Sequence, residues 1–569
     1  MGRRTAIGIQ NYGELIENNC FYVDKTAFIK EWWDSRDSVT LITRPRRFGK
    51  TLNMSMTEQF FSVNYAGRSD LFEGKKIWEE EAFRKLQGTY PVISLSFANI
   101  KEKTYEATRD KICQLMIDLY SKYEFLLETD SLTERNKEFF KRVSAGLGDV
   151  DATLALYQLS CFLSQHYEKK VIILLDEYDT PMQEAYVHGY WEELVSFTRS
   201  LFNATFKTNP WLERAIMTGI TRVSRESIFS DLNHLKVVTT TSDEYADSFG
   251  FTEEEVFAAM EEFGYKDKEK VKLWYDGFIF GEKKDIYNPW SILNYLDTGK
   301  LMTYWANTSS NSLVGKLIRE GSHRVKTSFE SLLEGKHLFT PIDEQIVYNQ
   351  LTGDEQAIWS LLVASGYLKV LSYESYQDEI VRVQPKYELT LTNTEVHLMF
   401  RSMIRDWFSE VEVEYNDFVK ALLLGDVDAM NEYMNQVTVE IFSSFDTGRR
   451  ISTRTEPERF YHGFVLGLMV ELQGKYVITS NRESGFGRYD VMLEPISTED
   501  DAIIMEFKVY NARREKTLEE TVQNALQQIR EKAYESSLTA KGIPTEKIRK
   551  YGFAFEGKTV LIGTDEHFS

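Results

Sequence analysis

The chain has 569 residues, with 67 lysines and arginines against 88 aspartates and glutamates, a formal net charge of −21. Its length corresponds to about three or four domains of ordinary size, and 42% hydrophobic and 14% aromatic residues are enough to give each a core. The acidic balance excludes a protein that grips polyanions over its whole surface, so any nucleic-acid site must be a local patch helped by a cation. Cys20, Cys113 and Cys161 lie far apart without Cys-x-x-Cys spacing. That argues against a zinc ribbon or a disulfide scaffold and is expected of a reducing compartment. No apolar run has the length of a membrane span, and the opening Met-Gly-Arg-Arg-Thr-Ala lacks a signal core and the hydroxyl residue that myristoylation requires at Ala6. A cytoplasmic protein with no membrane partner is therefore expected.

In chain order, Phe21-Tyr-Val-Asp-Lys-Thr26 runs into a helical pattern through Trp33, with Asp24 as its N-cap. Tyr22 is either a packed aromatic or one flank of a nucleotide base. Residues 39–51, Val-Thr-Leu-Ile-Thr-Arg-Pro-Arg-Arg-Phe-Gly-Lys-Thr, read as a short apolar strand, a tight loop and the start of a helix over 52–61. Gly49-Lys50-Thr51 is the closing half of a Walker A phosphate loop. Arg46, Arg47, Phe48 and Gly49 would wrap ATP phosphates, Lys50 would reach the β/γ-phosphates, and the Thr51 hydroxyl would bind Mg²⁺. The pattern departs from the full motif, because Arg44, followed by Pro45, stands where the first glycine belongs.

A second buried strand is expected over 90–97, then helices over 104–123 and 153–166. Val171-Ile-Ile-Leu-Leu-Asp176-Glu177 is an apolar strand ending in two acids, the Walker B pattern. Asp176 would hold Mg²⁺ through water and Glu177 would polarise the attacking water; the blander reading is a buried parallel strand with a solvated acidic end. The strand over 214–222 ends polar. Thr218 would face the γ-phosphate as a sensor. Arg222 or Arg225 would act as a sensor or as an arginine finger to a neighbouring subunit of a homo-oligomer, or would only pair with surface acids. This order of elements predicts an α/β domain over 1–240, a P-loop (ASCE/AAA-like) sheet with a strand inserted between the Walker strands.

Residues 241–342 read as a helical, aromatic-rich lid or linker, with Trp274-Tyr-Asp-Gly277 and Tyr287-Asn-Pro289 as turns. Within 343–448, an amphipathic helix over 354–366 and strands over 367–371 and 386–391 predict a winged-helix-like module, too poor in basic residues for DNA readout. Residues 449–569 begin with a helix over 457–472, followed by strands over 476–480, 488–494 and 502–509, a helix over 516–534 and a closing strand pair. Asp490 would lie early on the second strand, and Glu506 and Lys508, two apart on the third, would share a face. If these strands are neighbours, Asp490 and Glu506 form a hard-oxygen nest for Mg²⁺ or Mn²⁺, and Lys508 would orient the attacking water. The blander reading is a Glu–Lys pair at the wet end of a sheet.

Tyr22-Val-Asp-Lys-Thr26, Arg44-Pro-Arg-Arg-Phe-Gly-Lys-Thr51, Leu175-Asp-Glu-Tyr-Asp179, Trp274-Tyr-Asp-Gly277 and Tyr287-Asn-Pro289 together resemble the AAA-ATPase-like domain of bacterial proteins in which a PD-(D/E)XK nuclease-superfamily domain follows. Phe460-Tyr-His-Gly463, Ser480-Asn-Arg-Glu-Ser-Gly485, Gly487-Arg-Tyr-Asp490 and Glu506-Phe-Lys508 are similar to the nuclease half. The resemblance covers nearly the whole chain and implies that Arg44 is usual at the first-glycine position. It implies Asp490 and Glu506 as metal ligands, Lys508 as catalytic lysine, Glu458 (or its neighbour Glu456) as a further acid, and Gln528 as a nucleic-acid or water contact. The expected function is an ATP-binding, Mg²⁺-dependent nuclease acting on DNA and gated by the ATPase, with genome defence or mobile-element biology as its setting. The alternative is a P-loop regulatory switch whose nuclease-like domain binds without cutting.

Overall fold

The computed structural model describes residues 3–565 apart from 146, 223–227, 230–231, 306–313, 316, 319–321, 344–354, 374–385, 410–414, 442–464, 467, 470–471, 473–474, 481–482, 485–486, 489 and 498–499. Two compact units make up the chain: Met1–Val314 with His337–His397, and Gly315–Lys336 with Leu398–Ser569. The dividing line falls inside the 343–448 segment. Among the described residues no helix is long and apolar enough to cross a membrane.

The first unit is built on a parallel sheet of β1 (Val39–Thr43), β2 (Val92–Ser96), β3 (Val171–Asp176), β4 (Leu212–Gly219) and β5 (Leu235–Val238), in the order β2-β3-β4-β1-β5. Both β1 and β3 are buried at every position, as strands covered on both faces must be, and this is why they read as unbroken apolar runs. The inserted strand is β4. Its register sets Gly219 beside Thr43 and Met217 beside Leu175, so the carboxyl ends of the Walker strands and of the sensor strand meet at one edge. The flanking helices Tyr105–Ser121 and Asp149–Tyr167 fall where the periodicity places them. The second starts four residues early because Asp149 and Asp151 suit the positive end of its dipole.

Three expectations are corrected. Asp24 does not cap the Ala27–Ser35 helix, whose N-cap is Thr26; it stands two residues ahead, accepting from the Thr26 N–H (2.9 Å) and hydroxyl (2.7 Å) and from the Lys76 N–H (2.8 Å). The 241–342 segment is not wholly helical. Short strands β6 (Phe251–Thr252), β7 (Phe278–Phe280) and β8 (Lys283–Tyr287) form an antiparallel sheet among the helices Glu253–Phe263, Lys268–Tyr275 and Pro289–Thr298. The Glu355–Ala364 helix is not amphipathic: every residue from Ala357 to Val363 is buried, so it is a core helix. With β9 (Leu338–Pro341), β10 (Leu368–Tyr373) and β11 (Lys386–Leu391), ordered β10-β11-β9, it makes a helix-plus-sheet module inside the first unit.

The second unit carries β12 (Tyr476–Ser480), a small ribbon of β13 (Glu483–Ser484) and β14 (Gly487–Arg488), β15 (Val491–Pro495), β16 (Ala502–Val509), β17 (Ile548–Glu556) and β18 (Thr559–Gly563). The main sheet runs β12-β15-β16-β17-β18, antiparallel except for β16 with β17, which the Leu518–Glu531 helix connects. Alternation divides β16 between two cores. Ile503, Met505 and Phe507 pack with the helices Tyr415–Leu424 and Val427–Ile441, whereas Ala502 and Ile504 pack with Val522, Leu526 and Ile529. Edge strand β18 is covered by side-chain amides: Asn431 exchanges hydrogen bonds with the Ile562 backbone (2.7 and 2.9 Å), and Asn435 with that of Val560 (2.9 and 2.7 Å).

Asp276, between the Lys268–Tyr275 helix and β7, has a carboxyl pKa pushed up to about 6, first by burial and then by the neighbouring Asp285 carboxylate, with which it shares a hydrogen bond. An unfolded chain titrates this group near ~4. The folded protein therefore holds the proton more tightly; the stabilisation is complete below the unfolded value and is lost as pH rises through about 6. Asp276→Asn should remove that loss. Thermal melts should show the variant gaining on the wild type as pH is raised across this window; parallel curves would contradict the shared proton.

Candidate nucleotide site and candidate metal centre

The phosphate loop owes its shape to where its carbonyls go. The Arg44 guanidinium, fully buried, donates to the carbonyls of Thr43 (3.1 Å), Thr239 and Glu244 (3.0 Å), and lies 4.6 Å from the centre of the Phe280 ring. Lys50 Nζ donates to the carbonyls of Arg44 and Pro45, both at 2.8 Å. Trp305 Nε1 (3.0 Å) and Asn288 Nδ2 (3.2 Å) donate to the Arg46 carbonyl, and the Gly250 N–H donates to that of Phe48 (3.3 Å). With these oxygens engaged, the N–H groups at the turn and at the start of the Lys50–Phe61 helix are left to meet an anion. Gly49, at φ +81°, opens that helix. Arg47, also left-handed at φ +66°, holds its guanidinium 4.2 Å from the Trp290 ring centre. Phe48 is buried against Phe278 and Phe280.

The loop borders a cavity of about 590 Å³ whose lining includes Arg46–Thr51, Glu177, Asp179 and Trp290. Thr51 Oγ1 donates to Asp176 Oδ2 (2.7 Å), and the Thr218 hydroxyl donates to the other Asp176 oxygen. A hydroxyl and a carboxylate side by side are hard oxygen donors that fit Mg²⁺. Burial pushes the Asp176 carboxyl up, against the Thr218 and Thr51 hydroxyls, and the Lys50 ammonium down, against the carboxylates of Glu177, Asp176 and Asp179. Glu177 sits at φ +50°, its N–H on the Thr218 hydroxyl (3.3 Å) and its carboxylate accepting from the Thr180 hydroxyl (3.2 Å). Tyr22 is a packed aromatic, edge-on to Tyr12, that also lines the cavity. Arg222 is half-buried beyond β4 and does not line the cavity, and Arg225 lies outside the described residues.

Sequence reasoning assigns no structural role to six residues that build this site. Arg44 was noticed only as a missing glycine. Asp179, buried, accepts from the N–H groups of Ile220 and Thr221 (both 2.9 Å) and so ties the Walker B turn to the end of β4. A Cβ at Gly219 would lie 2.7 Å from Asp179 Oδ1, which is why the strand ends in glycine. Asn288 and Trp305 reach the loop from the segment read as a lid. Glu395, also buried, accepts from the N–H groups of Tyr304 (2.5 Å) and Trp305 (2.6 Å) and from the Ser291 hydroxyl (2.8 Å). It thereby fixes the Trp305 indole that holds the Arg46 carbonyl.

In the second unit, Asp490 stands immediately before β15 rather than on it. The pairing of Val491 with Met505 continues to set Asp490 opposite Glu506, and Asp490 Oδ2 accepts from the Phe507 N–H (2.8 Å). Directly opposed residues bring their Cβ atoms within about 5 Å. Glu506 is buried, and Lys508 is half-buried on the same face. Gln528, on the Leu518–Glu531 helix, joins them: its Oε1 accepts from Lys508 Nζ (2.6 Å) and its Nε2 donates to Glu506 and to the Tyr534 hydroxyl (3.0 Å). Tyr534, another residue missed, has its hydroxyl pKa pushed up to about 12 by burial, with Glu506 and Asp490 adding to the effect. Two carboxylates facing across a strand pair fit a hard divalent cation. Among the described residues no group of three or more His, Cys, Asp or Glu side chains gathers, so backbone or solvent oxygens would complete such a shell. Glu456 and Glu458 lie outside the described residues.

Fold and clusters define a P-loop α/β unit followed by a nuclease-like α/β unit. Residues 6–229 match the family described as predicted AAA-ATPase, and residues 456–565 match the PD-(D/E)XK nuclease superfamily. The chain therefore combines an AAA-ATPase-like domain with a PD-(D/E)XK nuclease-superfamily domain. It is also 24% identical over 404 residues to an uncharacterized protein in the vnfD 5′ region of Azotobacter chroococcum mcd 1, a match covering 69% of this chain and 68% of that one.

Arg44→Lys keeps a positive charge but cannot reach three separate carbonyls. Each charge-assisted bond lost costs about 1.5–3 kcal/mol, so the variant should lose about 2–4 kcal/mol in the unfolding of the first unit. A loosened loop should also raise the Kd for a non-hydrolysable ATP analogue roughly tenfold. Denaturant melts and calorimetric titration check the two effects; an unchanged melt would show the guanidinium to be dispensable.

Proposed function

We propose that this protein is an ATP-binding, Mg²⁺-dependent nuclease acting on DNA, in which the state of the P-loop gates cutting by the C-terminal domain. The observation that carries the reading is the set Asp490, Glu506, Lys508 and Gln528, four side chains from β16, the Leu518–Glu531 helix and the residue just ahead of β15, gathered at one end of β16. A divalent cation held by the two carboxylates would supply Lewis acidity to a phosphodiester oxygen and acidify a water. Lys508 would orient that water and offset charge on the phosphorane, while Gln528 holds the ammonium in place. On the other unit, Lys50 would exchange the Arg44 and Pro45 carbonyls for phosphate oxygens, Thr51 and Asp176 would hold Mg²⁺, and Glu177 would orient the attacking water. Within the first unit, a shift of the loop would disturb the bonds that run from the Arg46 carbonyl through Trp305 to Glu395.

The net charge of −21 favours a second reading, a nucleotide-driven switch whose nuclease-like domain does not cut. Nicking of supercoiled DNA with Mg²⁺ or Mn²⁺, with and without ATP, separates the two. Wild type should nick, Asp490→Ala and Lys508→Ala should each be slower by about 100-fold or more, and Lys50→Ala should lose ATP binding and the response to ATP. Equal nicking by wild type, Asp490→Ala and Lys508→Ala would sink the site assignment. ATP-dependent assembly without any cut DNA would favour the switch.

A further inference from the structure

The turn that follows β16 presents three cations that the ion pairs of the second unit do not engage. Arg513, Arg514 and Lys516 are exposed and, among the described residues, make no ion pair. Their neighbours behave differently. Lys475 pairs with Asp500, Arg530 with Asp565, Lys541 with Glu494, Arg549 with Asp501 and Lys550 with Glu535. Lys532 is also exposed and outside any ion pair but stands alone, whereas Arg513, Arg514 and Lys516 are grouped within four residues.

The turn is a built one. Glu515 accepts from the Asn511 N–H (2.9 Å), the Thr521 hydroxyl (3.0 Å) and Asn524 Nδ2 (2.8 Å). Asn511 Oδ1 accepts from the Arg513 N–H (3.0 Å), and the Asn511 carbonyl accepts from the Arg514 N–H (2.8 Å). The acids among these residues are engaged locally. Glu515 is tied as described, Glu520 accepts from the Lys516 N–H (2.6 Å), and Glu519 bonds the Thr517 hydroxyl in the first turn of the helix, where the dipole favours it. The turn begins three residues after Lys508, and the charge of Lys508 is felt at Glu515, where with the Asn511, Asn524 and Thr521 bonds it outweighs burial and holds the carboxyl below its ordinary range.

We infer that the Asn511–Thr517 turn is a phosphate-backbone contact for duplex DNA, with Arg513, Arg514 and Lys516 each meeting one phosphate beside the strand end that bears Glu506 and Lys508. The choice of ligand rests on the nuclease reading; the surface itself does not require cleavage. Such contacts position a duplex without reading its sequence, and each adds about 0.9 to the steepness with which log affinity falls against log salt.

The test is fluorescence anisotropy of a labelled duplex with the full chain, with Ca²⁺ replacing Mg²⁺, over a series of KCl concentrations. The triple variant Arg513→Ala/Arg514→Ala/Lys516→Ala should bind at least about 10-fold more weakly at moderate salt, with a slope shallower by about 2–3. The charge-keeping variant Arg513→Lys/Arg514→Lys/Lys516→Arg should restore the slope. Lys475→Ala/Lys541→Ala, which removes paired cations, should bind as wild type does. These side chains are exposed, so melting curves should coincide with that of the wild type. Unchanged affinity and slope in the triple alanine variant would overturn the proposal, as would a wild type that does not bind the duplex. Salt-dependent binding that the triple variant loses, in a protein that never nicks, would sink the nuclease reading and leave this one standing. Nicking that persists beside unaltered binding in the triple variant would do the reverse.

Discussion

The constraint on which the first unit depends is that a phosphate loop must turn its carbonyl oxygens away from an anion. Here that is achieved with side chains rather than with glycines. A buried guanidinium, a lysine ammonium, an indole N–H and an asparagine amide take up the oxygens from Thr43 to Arg46. Burying an arginine is unfavourable unless its donors are satisfied. Three backbone carbonyls take up its two terminal nitrogens beside the face of Phe280, Nε is left without a partner, and burial brings the pKa of Arg44 down to about 9. The guanidinium therefore remains charged at neutral pH, and the first-glycine position can hold a residue with a long side chain because that side chain turns to Thr239 and Glu244, which do not line the cavity.

The same fastening draws the helix-plus-sheet module into the nucleotide site. Gly366, just ahead of β10, sits at φ +81°, and a Cβ there would lie 2.8 Å from Pro45 Cγ, so only a glycine lets this turn close on the loop. Thr392 Oγ1 donates to the Gly366 carbonyl (2.7 Å), and Glu395, three residues on, anchors the strand of chain bearing Trp305. A module that reads from sequence as winged-helix-like is part of the scaffold that shapes the P-loop.

Local signals were legible and distant ones were not. Gly49-Lys50-Thr51 and Asp176-Glu177 were readable because each lies on consecutive residues at a strand end, and the parallel sheet followed from their order. The role of Arg44 was not, because Thr239 and Glu244 lie 195 and 200 residues away, and Trp305 lies 259 from Arg46. The 241–342 segment was read as helical because β7 and β8 have only three and five residues, too few for a period-2 pattern to outweigh the helices around them. In the second unit, alternation alone put Glu506 and Lys508 on one face, but their neighbour across the sheet depended on pairing, and Tyr534 had no motif to reveal it.

The two clusters share a device. Each holds a lysine whose ammonium is already satisfied by protein oxygens, Lys50 by the Arg44 and Pro45 carbonyls and Lys508 by the Gln528 amide. Burial lowers the affinity of the Lys50 ammonium for its proton, so an unsatisfied lysine there would drift towards the neutral amine and lose its use for an anion. Carbonyl oxygens keep it charged without neutralising it, which an acid in direct contact would do. Ligand binding at either site is then an exchange of one hydrogen-bond partner for a better one, worth about 1–3 kcal/mol for a charged donor, rather than the creation of a new buried charge.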